Sequence, residues 1–172
     1  MQKISTRQVV KLKKLSKRQS KDDVDAFIRA MKEKVKKDPA VIKKFQEYNI
    51  PIDDIDKVEV RFAPLDVSAK TKDMKIYINK SMLDDDSEVK DPTHYLVHEL
   101  THYLQQRTGN TKGHQNVKEY MDKPTEQEAF KVQIDFKERN EGEEEAKEYK
   151  EDLLNHHKLK GKKRKEIENK IT

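Results

Sequence analysis

Asp91-Pro92-Thr93-His94-Tyr95-Leu96-Val97-His98-Glu99-Leu100-Thr101-His102-Tyr103-Leu104-Gln105-Gln106 is the stretch on which the reading of this chain turns. Taken as a helix, it lines Leu96, Leu100, Tyr103 and Leu104 along one apolar stripe. Its boundaries agree: Asp91 is expected as N-cap, Pro92 as first helical residue and Gly109 just past the end. Tyr95, His98, Glu99, His102 and Gln106 then fall on the roughly opposite side, so one side is expected to face a core and the other a cleft. His98 and His102 lie one turn apart, with Cβ atoms about 5–6 Å apart, so both imidazoles can reach one metal ion. Glu99, offset by one residue, stands beside such an ion, where a carboxylate can take a proton from an attacking water. With 6 His and 17 Glu in 172 residues, random order gives only about 0.02 matches to H-E-x-x-H, which argues against coincidence. His94 extends the series by one more turn and is expected as a solvated residue on the cleft rim rather than a further ligand.

Composition limits what surrounds this helix. A chain of 172 residues fits one domain with extensions. With 33% hydrophobic and 41% charged residues, the core must be small and the helices around it long and solvated. There is no Cys, which excludes disulfide and thiolate chemistry and leaves His and carboxylates as the zinc donors. No apolar run is long enough for a signal peptide or a membrane span, so a cytoplasmic protein without membrane partners is expected. Residues 1–50 carry 15 Lys/Arg against 6 Asp/Glu, while the remainder is slightly acidic. This basic third is a candidate contact for nucleic acid or another polyanion, although it has no aromatic interleaving and reads more readily as a solvated face.

The expected organisation is a basic N-terminal arm over 1–21, a central domain over 22–140 and a charged helical extension over 141–172. Val24, Phe27, Ile28, Met31 and Val35 mark an amphipathic helix, and Asp38-Pro39 starts a shorter one through Val41, Ile42 and Phe45. Val58–Phe62 and Lys75–Asn79 alternate as half-buried strands, with room for a short extended piece in the connection between them. Asp84-Asp85-Asp86 lacks the spaced ligands of a calcium loop and is expected as a solvated turn. The tail mixes charges at helical spacing and is expected as exposed helix or a partner-binding arm. Its His156-His157 pair diverges on a helix and is expected to be solvated.

Two histidines leave a catalytic zinc site one protein ligand short. Pro124-Thr125-Glu126-Gln127-Glu128-Ala129-Phe130 supplies carboxylates at the start of a later helix. Thr125 and Glu128 read as a capping box, which would occupy Glu128 and leave Glu126, on the face of Ala129 and Phe130, as third ligand; Glu128 remains the alternative.

These motifs resemble the gluzincin metallopeptidases, in which H-E-x-x-H is joined by a Glu on a downstream helix. Glu126-Gln127-Glu128-Ala129 is similar to the E-x-E-A segment of the HtpX and CAAX-protease group, where the first Glu is the ligand, although Phe130 stands where that group has Asp. The arrangement also resembles small intracellular peptidases of the ImmA/IrrE type, often carried by phages and mobile elements. The likeness covers roughly residues 75–136. It implies an α+β zincin-like fold: a small antiparallel or mixed sheet packed on a metal-binding helix and a glutamate helix, with extra terminal helices. It also implies Zn2+ held by His98, His102 and Glu126, with Glu99 as general base. The substrate would be a protein or peptide, lying as an added strand along the sheet edge. A Tyr or His would stabilise the oxyanion: Tyr120 is named first, with His114, Tyr95 and His156-His157 as further candidates. The rival expectation is a catalytically inactive zincin-fold protein, virion- or DNA-associated, working through the basic arm.

Overall fold

The computed structural model describes residues 6–18, 21–84, 87–111 and 119–172. Asp85, Asp86 and His114 therefore lie outside the described residues. The architecture is α+β: a small mixed sheet with helices packed around it.

Helix α1 (Thr6–Arg18) packs against α2 (Lys21–Lys36), and Val9 on α1 is fully buried. On α2 the expected stripe of Phe27, Ile28, Met31 and Val35 enters the core. Helix α3 (Pro39–Glu47) starts where Asp38-Pro39 predicts. Asp38 Oδ1 accepts from the Ala40 and Val41 amides at 3.0 and 3.3 Å, satisfying two donors that the helix itself leaves unpaired.

The sheet comprises β1 (Val60–Ala63), β2 (Ala69–Lys72) and β3 (Lys75–Asn79), with β3 central, parallel to β1 and antiparallel to β2. β2 is the short extended piece anticipated between the two alternating segments. Asp73 and Met74 both take positive φ, the backbone that closes a two-residue hairpin tightly. Ile76 and Ile78 point into the core, whereas Lys70 and Lys72 point outward, so Ala69 and Thr71 form the inward face of the edge strand.

Helix α4 (Thr93–Thr108) lies beside this edge and ends on Gly109 at φ 68°. It begins one residue later than expected; Asp91 still acts on it, Oδ1 accepting from the Thr93 amide at 3.0 Å. The other oxygen of Asp91 pairs with the buried Lys34 ammonium at 2.8 Å, anchoring the helix start to α2. The apolar stripe is buried as expected, and the opposite side, beside which α5 (Pro124–Glu141) packs, lines the cavities described below, with Tyr95 and His102 half-buried and Gln106 exposed.

Helix α5 separates two cores. Val132 and Phe136 join the main one with α2, α3, α4 and the sheet. Phe130 and Ile134 join a smaller one built with Met121 from the short turn before α5 and with Ala146, Leu154, Ile167 and Ile171 from α6 (Glu143–His156), α7 (Gly161–Lys170) and the residue after it. The tail is therefore packed structure rather than an exposed helix or free arm; Leu154, Ile167 and Ile171, too sparse to show as a stripe, fix it to α5.

Candidate metal centre

The centre lies where α4 faces the start of α5. His98 Nε2 and His102 Nε2 are 3.1 Å apart. Glu126, carried by the first turn of α5, places Oε1 at 2.9 Å from His102 Nε2 and Oε2 at 3.2 Å from His98 Nε2. All three side chains are largely buried, and Oε2 of Glu126 has no hydrogen-bond partner among the described residues.

The outer nitrogens of the two rings decide what the inner ones can do. His102 Nδ1 lies 2.8 Å from Gln105 Oε1. The Gln105 amide has only one workable orientation, because its nitrogen donates at 3.0 Å to the Thr125 carbonyl and at 3.0 Å to the Glu128 carboxylate. Its oxygen therefore accepts, and Nδ1 of His102 carries the proton. On His98, Nδ1 faces Gln133 Oε1 at 2.9 Å and donates to it in the tautomer that leaves Nε2 open toward Glu126. With Nδ1 so engaged, both Nε2 atoms face each other and a carboxylate, an arrangement that a shared cation reconciles: a metal ion or, without one, the proton that His102 takes up. Donors on a tetrahedral zinc at about 2.0–2.1 Å stand about 3.3 Å from one another, close to these separations. The residues present therefore fit the ion. Burial opposes a proton on His102, but the hydrogen bond and charge of Glu126, with the charge of Glu99, outweigh it and raise its pKa to about 9. Burial pushes the Glu126 carboxyl up, while its bonds to His102 and His98 draw it down further, so that it stays ionised.

Glu99 can also be grouped with the two imidazoles, its donor atoms lying within 4.8 Å of theirs. Its Oε2, however, accepts from the Thr71 hydroxyl on β2 at 2.8 Å, and Thr71 also donates to its backbone carbonyl at 3.0 Å. The closer contacts of Glu126 make it the better third donor, leaving Glu99 beside the triangle and against the strand edge.

Glu128 is brought to neither imidazole. It accepts from Tyr48 Oη at 2.6 Å and from Gln105, and the expected capping box is displaced, since α5 starts at Pro124 with Lys123 rather than Thr125 as its N-cap. The tertiary partners offered by α3 and α4 outcompete the local bond. His94 is not a solvated rim residue either: it is 3% exposed, its Nδ1 accepts from Gln133 Nε2 at 2.8 Å, and it makes no contact with the triangle.

Two cavities meet at Glu99 and Tyr120. One of about 370 Å³ runs along His102, Glu126 and Thr71; the other, about 650 Å³, runs from His98 toward α6. Tyr120 sits at their junction, 39% exposed, against the Phe130 edge and stacked on His157 with ring centroids 5.2 Å apart. His156 and His157 both belong to the cavity wall, His157 half-buried and His156 exposed. Tyr95 lines the larger cavity away from the triangle.

Gln133 and Tyr149 were missed from the sequence. Gln133 Nε2 donates to Tyr149 Oη at 3.0 Å, which leaves the Tyr149 proton free to be donated elsewhere. Burial, reinforced by neighbouring carboxylates, raises the pKa of both Tyr120 and Tyr149, so both hydroxyls remain protonated. The signal for Gln133 is weak: a lone polar residue seven positions beyond Glu126, two turns along α5 on the same face.

No protein-family model, curated protein or solved structure matches the chain. No helix among the described residues is long and apolar enough to cross a membrane.

Proposed function

We propose that the chain is a zinc-dependent peptide hydrolase of the gluzincin type, with a zincin-like arrangement of β2, α4 and α5. The observation that carries this reading is the buried triangle of His98 Nε2, His102 Nε2 and Glu126, with edges of 2.9–3.2 Å, close to the spacing of donors on one tetrahedral ion. Three protein donors with open space beside them are the pattern of a catalytic rather than a structural zinc site. Zinc, when bound, lowers the pKa of the attacking water toward neutrality and polarises the scissile carbonyl. Glu99, steadied by the Thr71 hydroxyl, takes one proton from that water as the new C–O bond forms. It returns the proton to the departing amine as the C–N bond breaks. The hydroxyls of Tyr120 and Tyr149 supply hydrogen-bond donors for the carbonyl oxygen as it gains charge.

Elemental analysis of dialysed protein tests the reading. One zinc per chain is expected in the wild type, with most of it lost in Glu126→Ala. Glu99→Gln should keep its zinc and lose peptide hydrolysis by about 100-fold or more. A wild-type protein that retains no metal, or a Glu99→Gln variant that cleaves as well as the wild type, would overturn it.

A further inference from the structure

The larger cavity has a chemical character at odds with the rest of the molecule. Lys and Arg make up 38 of the 172 residues, yet neither type occurs among the described residues that line it. Its walls are apolar and aromatic, with Tyr95, Phe130, Tyr149 and Leu153 around the space, and its inner end reaches Glu99. Two further carboxylates stand on its lining, Asp66 from the segment before β2 and Asp152 from α6. Both are exposed, and neither has an ion pair or hydrogen bond among the described residues. Burial and the neighbouring His156 lower the pKa of His157, so that residue adds no positive charge to the wall near neutrality.

A wall of aromatic faces ending in unpaired carboxylates matches one kind of amino-acid side chain. The methylene stem of Lys or Arg packs on apolar and aromatic surface while its cationic head reaches outward to an acidic edge. Toward the outer end an acidic side chain would meet Asp66 and Asp152 with no Lys or Arg on the lining to offset them, which supplies rejection as well as attraction. We propose that this cavity is a side-chain subsite selecting a basic residue of the substrate beside the scissile bond, with Asp66 and Asp152 as its specificity determinants. The inference rests on the peptide-hydrolase reading of the same centre.

Two measurements separate the two ideas. In the first, zinc-loaded wild type and Asp66→Asn/Asp152→Asn digest a pool of random dodecapeptides, and the cleavage sites are read by mass spectrometry. Lys and Arg should be enriched at one fixed position by about tenfold, and the double substitution should abolish that enrichment while other bonds are still cut. Cleavage without enrichment, or enrichment that survives the double substitution, overturns the subsite and leaves the hydrolase reading standing. In the second, fluorescence anisotropy compares labelled Lys-rich and Glu-rich dodecapeptides on zinc-loaded Glu99→Gln, with and without the two Asn substitutions. If the wild type cuts nothing, the hydrolase reading falls. Tighter binding of the basic peptide that depends on Asp66 and Asp152 then still upholds the cavity's preference, and equal binding of both peptides overturns it.

Discussion

Gln133 organises three groups with one amide. Its oxygen accepts from His98 Nδ1, and its nitrogen donates to His94 Nδ1 and to Tyr149 Oη. It thereby holds one imidazole of the candidate metal centre in orientation and ties that ring to α6. Groups in this position around a metal ligand alter affinity by about 10–100-fold when removed, because the ligand loses both orientation and basicity. Gln133→Ala should weaken zinc binding by about that factor in a competition titration against a fluorescent chelator. Gln133→Glu, which keeps an acceptor for Nδ1, should recover much of the loss. Unchanged affinity in Gln133→Ala would show that the ring is held by packing against Phe130 instead, whose edge lies 4.4 Å from it between centroids.

At the scale of elements, α5 does work that its sequence pattern does not announce. Within 18 residues it carries Glu126 to the metal centre, Val132 and Phe136 to the main core, and Phe130 and Ile134 to the smaller one. A helix buried on several sides has no single apolar stripe, and the same holds for α4, whose cleft-facing side packs beside α5. The tail helices are the counterpart of that burial. Leu154 is 1% exposed, and Leu154→Ala should cost about 2–5 kcal/mol in chemical denaturation of the zinc-free protein, as expected of a core leucine. A cost under about 0.5 kcal/mol would mean that α6 is only loosely attached. Since α6 also carries Tyr149 and Asp152, its attachment matters for the cavity as well as for stability.

For the whole molecule, the buried polar network makes stability depend on pH. His94 is enclosed by Tyr95 and Tyr149, with ring centroids 4.2 and 5.2 Å away. Burial, aided by the charges of Lys137, His98 and Lys34, holds its pKa well below the usual 6.5. Above pH 6.5 the ring is neutral in the folded and unfolded chain, and its contribution is fully present. Below that value the unfolded chain takes up a proton that the folded one refuses, so stability falls by up to about 1.4 kcal/mol per pH unit. In the zinc-free protein the raised His102 pKa works in the opposite direction, adding stability as pH falls, so the His94 contribution is read by comparing wild type with His94→Asn in thermal unfolding at about pH 7.5 and about pH 5.5. In His94→Asn, which can keep a contact with Gln133, the loss should be smaller by about 1 kcal/mol. Parallel profiles for the two proteins would rule His94 out as the source.

By itself the sequence determined the features that rest on local spacing. His98 and His102 share a helix face because 3.6 residues make a turn; Gly109 ends that helix because it tolerates positive φ; Asp38 caps α3 through a bond only two residues long. The alternating runs around Phe62 and Ile76 likewise marked two strands, and Glu126 was singled out because its helix face continues into Ala129 and Phe130. What only the tertiary structure decided were the contacts made across elements. Glu128 turned to Tyr48 and Gln105 rather than to its own backbone, His94 went inside, and Gln133 and Tyr149 met His98. The charged tail also became a wall of the cavity. Such choices depend on which polar groups are left unsatisfied once distant helices pack, a competition among partners 16 to 80 residues apart in sequence that no local pattern records.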